Sequence, residues 1–146
     1  MSVTIVKVEN NRQLKRFVKF GYELYKECPY YVPELFEDAM NTLRKDRNAA
    51  FEFCDADYFL AYKDGVLAGR IAVLVNKVAN EKWGQNAARF GWVDFIDDKE
   101  VVDALFATAE KWARERGLTE LQGPLGFTDL DREGMLVEGF DEKSMF

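Results

Sequence analysis

The chain has no histidine and only two cysteines, Cys28 and Cys54. The first absence removes the commonest general base and a common zinc ligand. The cysteines have no histidine partner and no C-x-x-C spacing, so neither is a good candidate nucleophile. They are also too few for a disulfide scaffold and read as reduced thiols of a cytoplasmic protein. Glycine and proline are not enriched, which argues against global disorder. No run approaches the roughly 20 apolar residues of a membrane span. The opening MSVTIVKVEN lacks the basic head and apolar run of a secretory leader. No internal repeat is visible. Chemistry must come from carboxylates, tyrosines, backbone amides or a bound cofactor.

What is present suits one domain over residues 1–146, with 48% hydrophobic residues to build a core. Charge is uneven. The first 93 residues carry 14 basic and 12 acidic side chains; the remainder carry 6 and 14. Such an acidic C-terminal part repels polyanions, so nucleic acid is a poor partner and a cationic small molecule a better one.

Thr4–Val8 alternates as a strand. Asn10 caps a helix, with Gln13 closing a capping box. Leu14, Phe17, Val18, Gly21, Tyr22, Leu24 and Tyr25 recur at helical spacing, and the helix ends by Cys28 because Pro29 restricts its predecessor. The linker Pro29-Tyr30-Tyr31-Val32-Pro33 leads to a second helix. Pro33 falls in its first turn, and Leu35, Phe36, Ala39, Met40 and Leu43 lie on its buried side. Tyr58–Tyr62 and Val66–Val75 form a hairpin about Asp64-Gly65, a type I′ signal. Val73–Val78 reads as an edge strand and Asn80–Ala88 as a polar loop. Ala88–Ile96 is a third long strand. Phe90, Trp92 and Asp94 share one of its faces; Gly91, Val93 and Phe95 share the other. Asp97 caps the next helix, with Glu100 completing a capping box. Val101, Leu105, Thr108 and Trp112 form that helix's apolar stripe. Gly117 ends it. Leu118–Gln122 is a short buried strand, and Gly123-Pro124-Leu125-Gly126 must turn tightly out of the sheet. The expected class is α/β, a mixed sheet flanked by helices.

This order resembles the GNAT superfamily of N-acyltransferases. The segment GWVDFIDDKEVVDALFATAEKWARERGLTELQGPLGFTDLDREGMLVEGFD is similar to a divergent bacterial branch of it. The resemblance implies an acyl-CoA N-acyltransferase-like domain without its final strands. A C-terminal domain or a second copy would then complete the sheet. It also implies acetyl-CoA or another acyl-CoA as donor and a small-molecule amine as acceptor; the acidic charge and the lack of an apolar run imply no nucleic-acid and no membrane partner. A glutamate base on the superfamily's fourth strand corresponds here to Asp94. The pyrophosphate loop corresponds to Ile96-Asp97-Asp98-Lys99-Glu100-Val101, which has no glycine and three carboxylates. Cofactor contacts are expected at Phe95 and Ile96, and at Gly123 and Gly126 in the alternative loop. The superfamily's tyrosine acid follows the fifth strand, whereas this chain has no tyrosine after Tyr62.

Each candidate also has a plainer reading. Asp94 is either a base or a carboxylate that caps a turn or pairs with Arg89. The Gly123–Gly126 loop is either a ligand loop or an ordinary turn. Trp83, Tyr30 and Tyr31 either line a substrate groove or form a satellite cluster. Trp112 belongs to the core. Asp129, Asp131 and Glu133 read as a solvated loop rather than a metal site. Arg44, Lys45 and Arg47 form a charged helix end rather than a phosphate clamp. The functional expectation is acyl transfer from CoA to a small amine. Its rival is a non-catalytic binding or structural domain on a degenerate scaffold.

Overall fold

The computed structural model of the chain describes residues 3–127. Asp129, Asp131 and Glu133 lie outside them.

Five strands form one sheet in the order β1-β2-β3-β4-β5. β1 (Val3–Lys7), β2 (Cys54–Lys63), β3 (Val66–Asn76) and β4 (Ala87–Phe95) pair antiparallel, and β5 (Glu120–Gln122) joins β4 in parallel. Helices α1 (Asn11–Leu24) and α2 (Phe36–Leu43) cover one face, and α4 (Lys99–Glu115) covers the other. A short helix, α3 (Lys77–Trp83), links β3 to β4. The expected mixed sheet with flanking helices is what forms. Among the described residues no helix is long and apolar enough to cross a membrane.

Strand alternation divides the core. Ile71, Val73 and Val75 of β3 meet Val101, Leu105 and Trp112 of α4, while Ala72 and Leu74 meet Phe17, Met40 and Leu43. Phe17, Leu60, Ile71 and Leu105 are fully buried. Burying each such side chain stabilises the fold by about 1.5–3 kcal/mol. The hairpin turn has Asp64 at φ 53° and Gly65 at φ 79°, as a type I′ turn requires. At the head of α1, Asn10 Oδ1 accepts from the Gln13 amide at 2.9 Å. The returning Gln13 Oε1 accepts from the Glu9 amide, one residue before the expected partner.

Several boundaries differ from the sequence reading. α2 begins at Phe36 rather than near Pro33. The Glu34 carbonyl is taken by the Tyr22 hydroxyl at 2.8 Å, so the helical ladder starts with Ala39 N–H to the Leu35 carbonyl. Leu35, expected to be buried, is 72% exposed. Val73–Val78 is not an edge strand: β3 lies between β2 and β4 and stops at Asn76. Nor is Asn80–Ala88 all loop. Asn76 Oδ1 caps α3 by accepting from the Ala79 amide at 2.9 Å, and α3 runs to Trp83. Its composition is polar because α3 buries none of its side chains.

β4 carries a bulge. Arg70 pairs with Asp94 and Ala72 with Gly91, so β4 has one residue more than β3 between those pairs. Trp92 sits at φ 44° there. The extra residue breaks the alternation expected for this strand. Phe90, Val93 and Phe95 all pack on the α4 side, while Trp92 packs on the α1–α2 side. Finally, the cap of α4 is Asp98 rather than Asp97. The Ile96 amide still donates to the Ala68 carbonyl at 2.9 Å, extending the β3–β4 contact and delaying the helix start.

Candidate functional site

The centre of the molecule is a buried polar cluster built on the β3–β4 ladder. Arg70 interrupts an otherwise apolar strand, VLAGRIAVLV. Its Nε and Nη2 donate to Asp94 Oδ2 at 3.0 and 2.7 Å. Its Nη1 donates to the Phe17 carbonyl in α1 at 2.8 Å, and the guanidinium lies 5.2 Å from the centre of the Phe17 ring. α1 can approach this closely only because residue 21 is glycine. A Cβ there would lie 2.7 Å from Arg70 Nη2. The other carboxylate oxygen, Asp94 Oδ1, accepts from the Tyr25 hydroxyl at 2.8 Å. Burial above all, then the charge and hydrogen bond of Asp94, pushes the Tyr25 phenol far above its usual pKa. Tyr25 therefore stays protonated and serves as a donor.

Tyr25 also forms the wall of a cleft of 370 Å³ between the end of α1 and the segment leading into α2. Its ring stacks on Tyr31, with centroids 4.7 Å apart and planes 25° apart. Tyr22, Phe36 and Leu35 continue the lining, and Lys26 and Glu34 supply its charges. Thus the Asp94 carboxylate reaches the cleft through one phenol. The expected Asp94–Arg89 pair does not form. Arg89 instead donates to the Gly126 and Phe127 carbonyls at 3.2 and 3.4 Å. Of the three loop aromatics, Tyr31 lines the cleft. Trp83 is 69% exposed on α3, where the Lys82 ammonium lies 5.3 Å from its ring centre.

The turn before α4 is filled by the protein's own groups. Asp98 Oδ1 accepts from the Glu100 amide at 2.9 Å, and Oδ2 accepts from the Lys63 ammonium. The Lys63 hydrogen bond, reinforced by the Glu100 amide, holds the Asp98 carboxyl below its usual range. The Ile96 amide is committed to Ala68. Phe95 is half-buried against the α4 cluster. A pyrophosphate would need these amides, and it would meet a carboxylate in their place. The residues at this turn do not fit the phosphates of an acyl-CoA.

The space beside β4 is likewise occupied. β4 and β5 pair only from Ala87 to Arg89, opposite Glu120 to Gln122. Beyond them the Leu125 amide donates to the Phe90 carbonyl at 2.8 Å. A Cβ on Gly123 would lie 2.4 Å from the Phe90 oxygen, and one on Gly91 2.4 Å from the Leu125 oxygen. Gly123 and Gly91 thus allow close packing of the chain on itself. Gly126 contributes its carbonyl to Arg89.

A second polar cluster pins α4 to β2. Asp57 Oδ2 accepts from Trp112 Nε1 at 2.8 Å and Arg116 Nη2 at 3.3 Å. Lys45 and Lys7 approach Oδ1 at 3.3 and 3.7 Å. Burial pushes the Asp57 carboxyl up. The Trp112 hydrogen bond and the lysine charges outweigh burial and hold it below its usual range. Trp112 is a core residue, as expected. Sequence reasoning missed the Arg70, Tyr25 and Gly21 partnership. Its one visible signal was a lone arginine in an apolar strand.

No family model matches the chain. It is 33% identical over 132 residues to Protein YghO of Escherichia coli (strain K12), an alignment covering 90% of this chain and 34% of that protein. It is 30% identical over 144 residues to the Bacterial ceramide synthase of Caulobacter vibrioides (strain NA1000 / CB15N), covering 98% of this chain and 38% of that protein. The chain therefore spans about a third of the length of the curated relatives it matches. Among solved structures it is similar to a tandem GNAT protein from the clavulanic acid biosynthesis pathway. The TM-score is 0.64 at 18% identity, over 82% of this chain and 35% of that one. Further solved acetyltransferases share the fold at TM-scores of 0.52 to 0.56. The chain has the GNAT fold.

Proposed function

We propose that this chain is the acceptor-binding, GNAT-fold part of an N-acyltransferase that moves an acyl group from CoA onto an amine. The observation that carries the reading is the aromatic cleft whose wall, Tyr25, is hydrogen-bonded to Asp94 on the bulged β4 strand. The GNAT fold supports the reaction class, although fold alone does not secure it. The relative from Caulobacter vibrioides is named for making ceramide, an amide, which supports the same class. Asp94 has both oxygens engaged, by Arg70 and by Tyr25, so its role here is to position Tyr25 at the cleft. The turn before α4 does not accept phosphates, so the donor's phosphates bind outside the described residues. In the relatives, some two thirds of the length lies beyond the matched region.

The test is titration calorimetry of acetyl-CoA and a longer acyl-CoA into the longest soluble form of the protein. It is paired with an assay for free CoA thiol released on adding amines. Micromolar binding with amine-dependent thiol release supports the reading. Neither binding nor release with any amine removes it.

A second reading, a non-catalytic scaffold, is favoured by one observation: the α4 amide is held by Asp98, itself pinned by Lys63. Asp98→Ser keeps a capping oxygen, so the helix start should be retained, while removing the charge and its pairing with Lys63. If the carboxylate is what excludes phosphates, this variant binds acetyl-CoA more tightly than the parent. Unchanged affinity would dismiss that explanation.

A further inference from the structure

Asp57 gathers more positive charge than it can balance. Its side chain is only 9% exposed, and cations from three separate elements converge on it. Arg116, the C-terminal cap of α4, brings Nη2 to 3.3 Å from Oδ2. On Oδ1, Lys45 from the segment after α2 approaches to 3.3 Å, and Lys7 from the end of β1 to 3.7 Å. One carboxylate neutralises one of these three cations. Among the described residues, none of them has a second carboxylate within ion-pair distance. Asp46, next to Lys45 in the chain, is already held by Arg44 at 2.7 Å. The cluster therefore carries two positive charges in excess, in a chain whose net charge is −6.

Pinning α4 to β2 does not require that surplus. Trp112 Nε1 and Arg116 already fill Oδ2, and one lysine would satisfy Oδ1. Two ammonium groups drawn to one oxygen repel each other unless further negative charge joins them. Their donors are open to receive it. Both lysine side chains are at least half exposed, and an ammonium has three N–H donors, so each keeps some for a ligand. The Arg116 guanidinium lies 3.8 Å from the centre of the Trp112 ring, which fixes its plane. The buried carboxylate thus holds the cations together before any ligand arrives, which lowers the ordering cost of binding.

We propose that Lys7, Lys45 and Arg116, gathered by Asp57, bind the phosphate group of a soluble phosphate monoester. Such a group carries a charge of about −1.5 to −2 near neutral pH, which matches the surplus. Its oxygens accept charge-assisted hydrogen bonds from the three cations. The cluster's residues are charged or, like Trp112, buried, so they offer a lipid no exposed apolar side chain. The site is distinct from the glycine-free turn. That turn opens α4, whereas Arg116 closes it, about 25 Å away along a helix of 17 residues. The proposal does not depend on the acyltransferase reading.

The experiment titrates sodium phosphate into the longest soluble form of the protein by calorimetry, at fixed ionic strength and pH 7.5. The expected result is saturable binding with a Kd on the order of 1 mM, the strength of a few charge-assisted hydrogen bonds. Nitrate, with a single charge, should bind at least about tenfold more weakly. Lys7→Gln and Lys45→Gln should each weaken phosphate about fivefold. Lys99→Gln removes a cation from the other end of α4 and should leave the affinity unchanged. Thermal melts supply a second readout. Phosphate should raise the melting temperature of the parent, and raise it less in either cluster variant.

Absence of saturable phosphate binding would overturn the proposal. So would binding that ignores both cluster substitutions, or that weakens equally in Lys99→Gln. Nitrate binding as tightly as phosphate would remove the requirement for a dianion and also overturn it. Acetyl-CoA displacing the lysine-dependent phosphate would make the cluster part of the donor site and overturn a separate ligand. Capture on phosphatidate vesicles through Lys45, with no binding of free phosphate, would overturn the soluble ligand. Failure of acyl transfer, with lysine-dependent phosphate binding intact, removes the transferase and leaves this site standing.

Discussion

Arg70 and Asp94 face each other across the β3–β4 ladder, and their side chains meet at 2.7 Å. Their side chains are only 8% and 17% exposed. The pair joins two strands, while Arg70 also reaches α1 and Asp94 also reaches Tyr25. One ion pair thus ties the sheet to the wall of the cleft.

Breaking a buried pair from one side strands the other charge. Asp94→Asn is therefore expected to cost about 3 kcal/mol of stability in urea unfolding. A loss below about 1 kcal/mol, together with a large loss of activity, would return Asp94 to the role of a base.

Gly21 offers a cleaner test of the same contact. In an ordinary helix interior, glycine to alanine stabilises by about 0.5–1 kcal/mol. Here the added Cβ meets a guanidinium held by Asp94 and by the Phe17 carbonyl. Gly21→Ala should destabilise by about 1–2 kcal/mol. In an Arg70→Ala background the same change should become neutral or stabilising. A double-mutant cycle with no coupling would show that Arg70 yields freely.

Asp57 predicts an acid limb. Its folded pKa lies below the unfolded value, so its stabilisation is fully present above the ordinary carboxylate range, near about 4. It is lost as pH falls through the folded value. Asp57→Asn should be less stable than the parent at neutral pH, and the two should converge under acid. Thermal melts across pH 2 to 8 would read this, and a constant gap down to the lowest pH would contradict it.

At the β4–β5 junction the neighbours are backbone atoms, which cannot rotate away. Gly123→Ala places a Cβ 2.4 Å from the Phe90 carbonyl oxygen. The expected cost is about 2 kcal/mol or more in denaturant unfolding. A neutral outcome would mean that the loop lifts off β4, reopening the space there for a ligand.

The elements set by strong local chemistry are legible in the sequence. The Asp64-Gly65 hairpin and the apolar stripe of α4 formed where expected, because turn preference and helical periodicity are set by near neighbours. Segments without a strong local signal were misread. α3 buries no side chain, so its polar composition looked like a loop, and its cap and terminator were the only cues. The β4 alternation failed at Trp92 because a bulge inserts one residue, and a periodicity of two cannot reveal that.

The sequence by itself determined the layout, the α/β class and the chemistry available without histidine. It also marked Asp94 and the glycine-free turn before α4 as places to look. Tertiary structure decided what those groups contact. It paired Asp94 with Arg70 across the ladder and with Tyr25 at the C-terminal cap of α1, partners 24 and 69 residues away in the chain. It also set Gly123 in close packing against Phe90. The physical reason is range. Propensity and periodicity act over a few residues, whereas the charge pairing and close packing that shape a site join segments far apart in the chain.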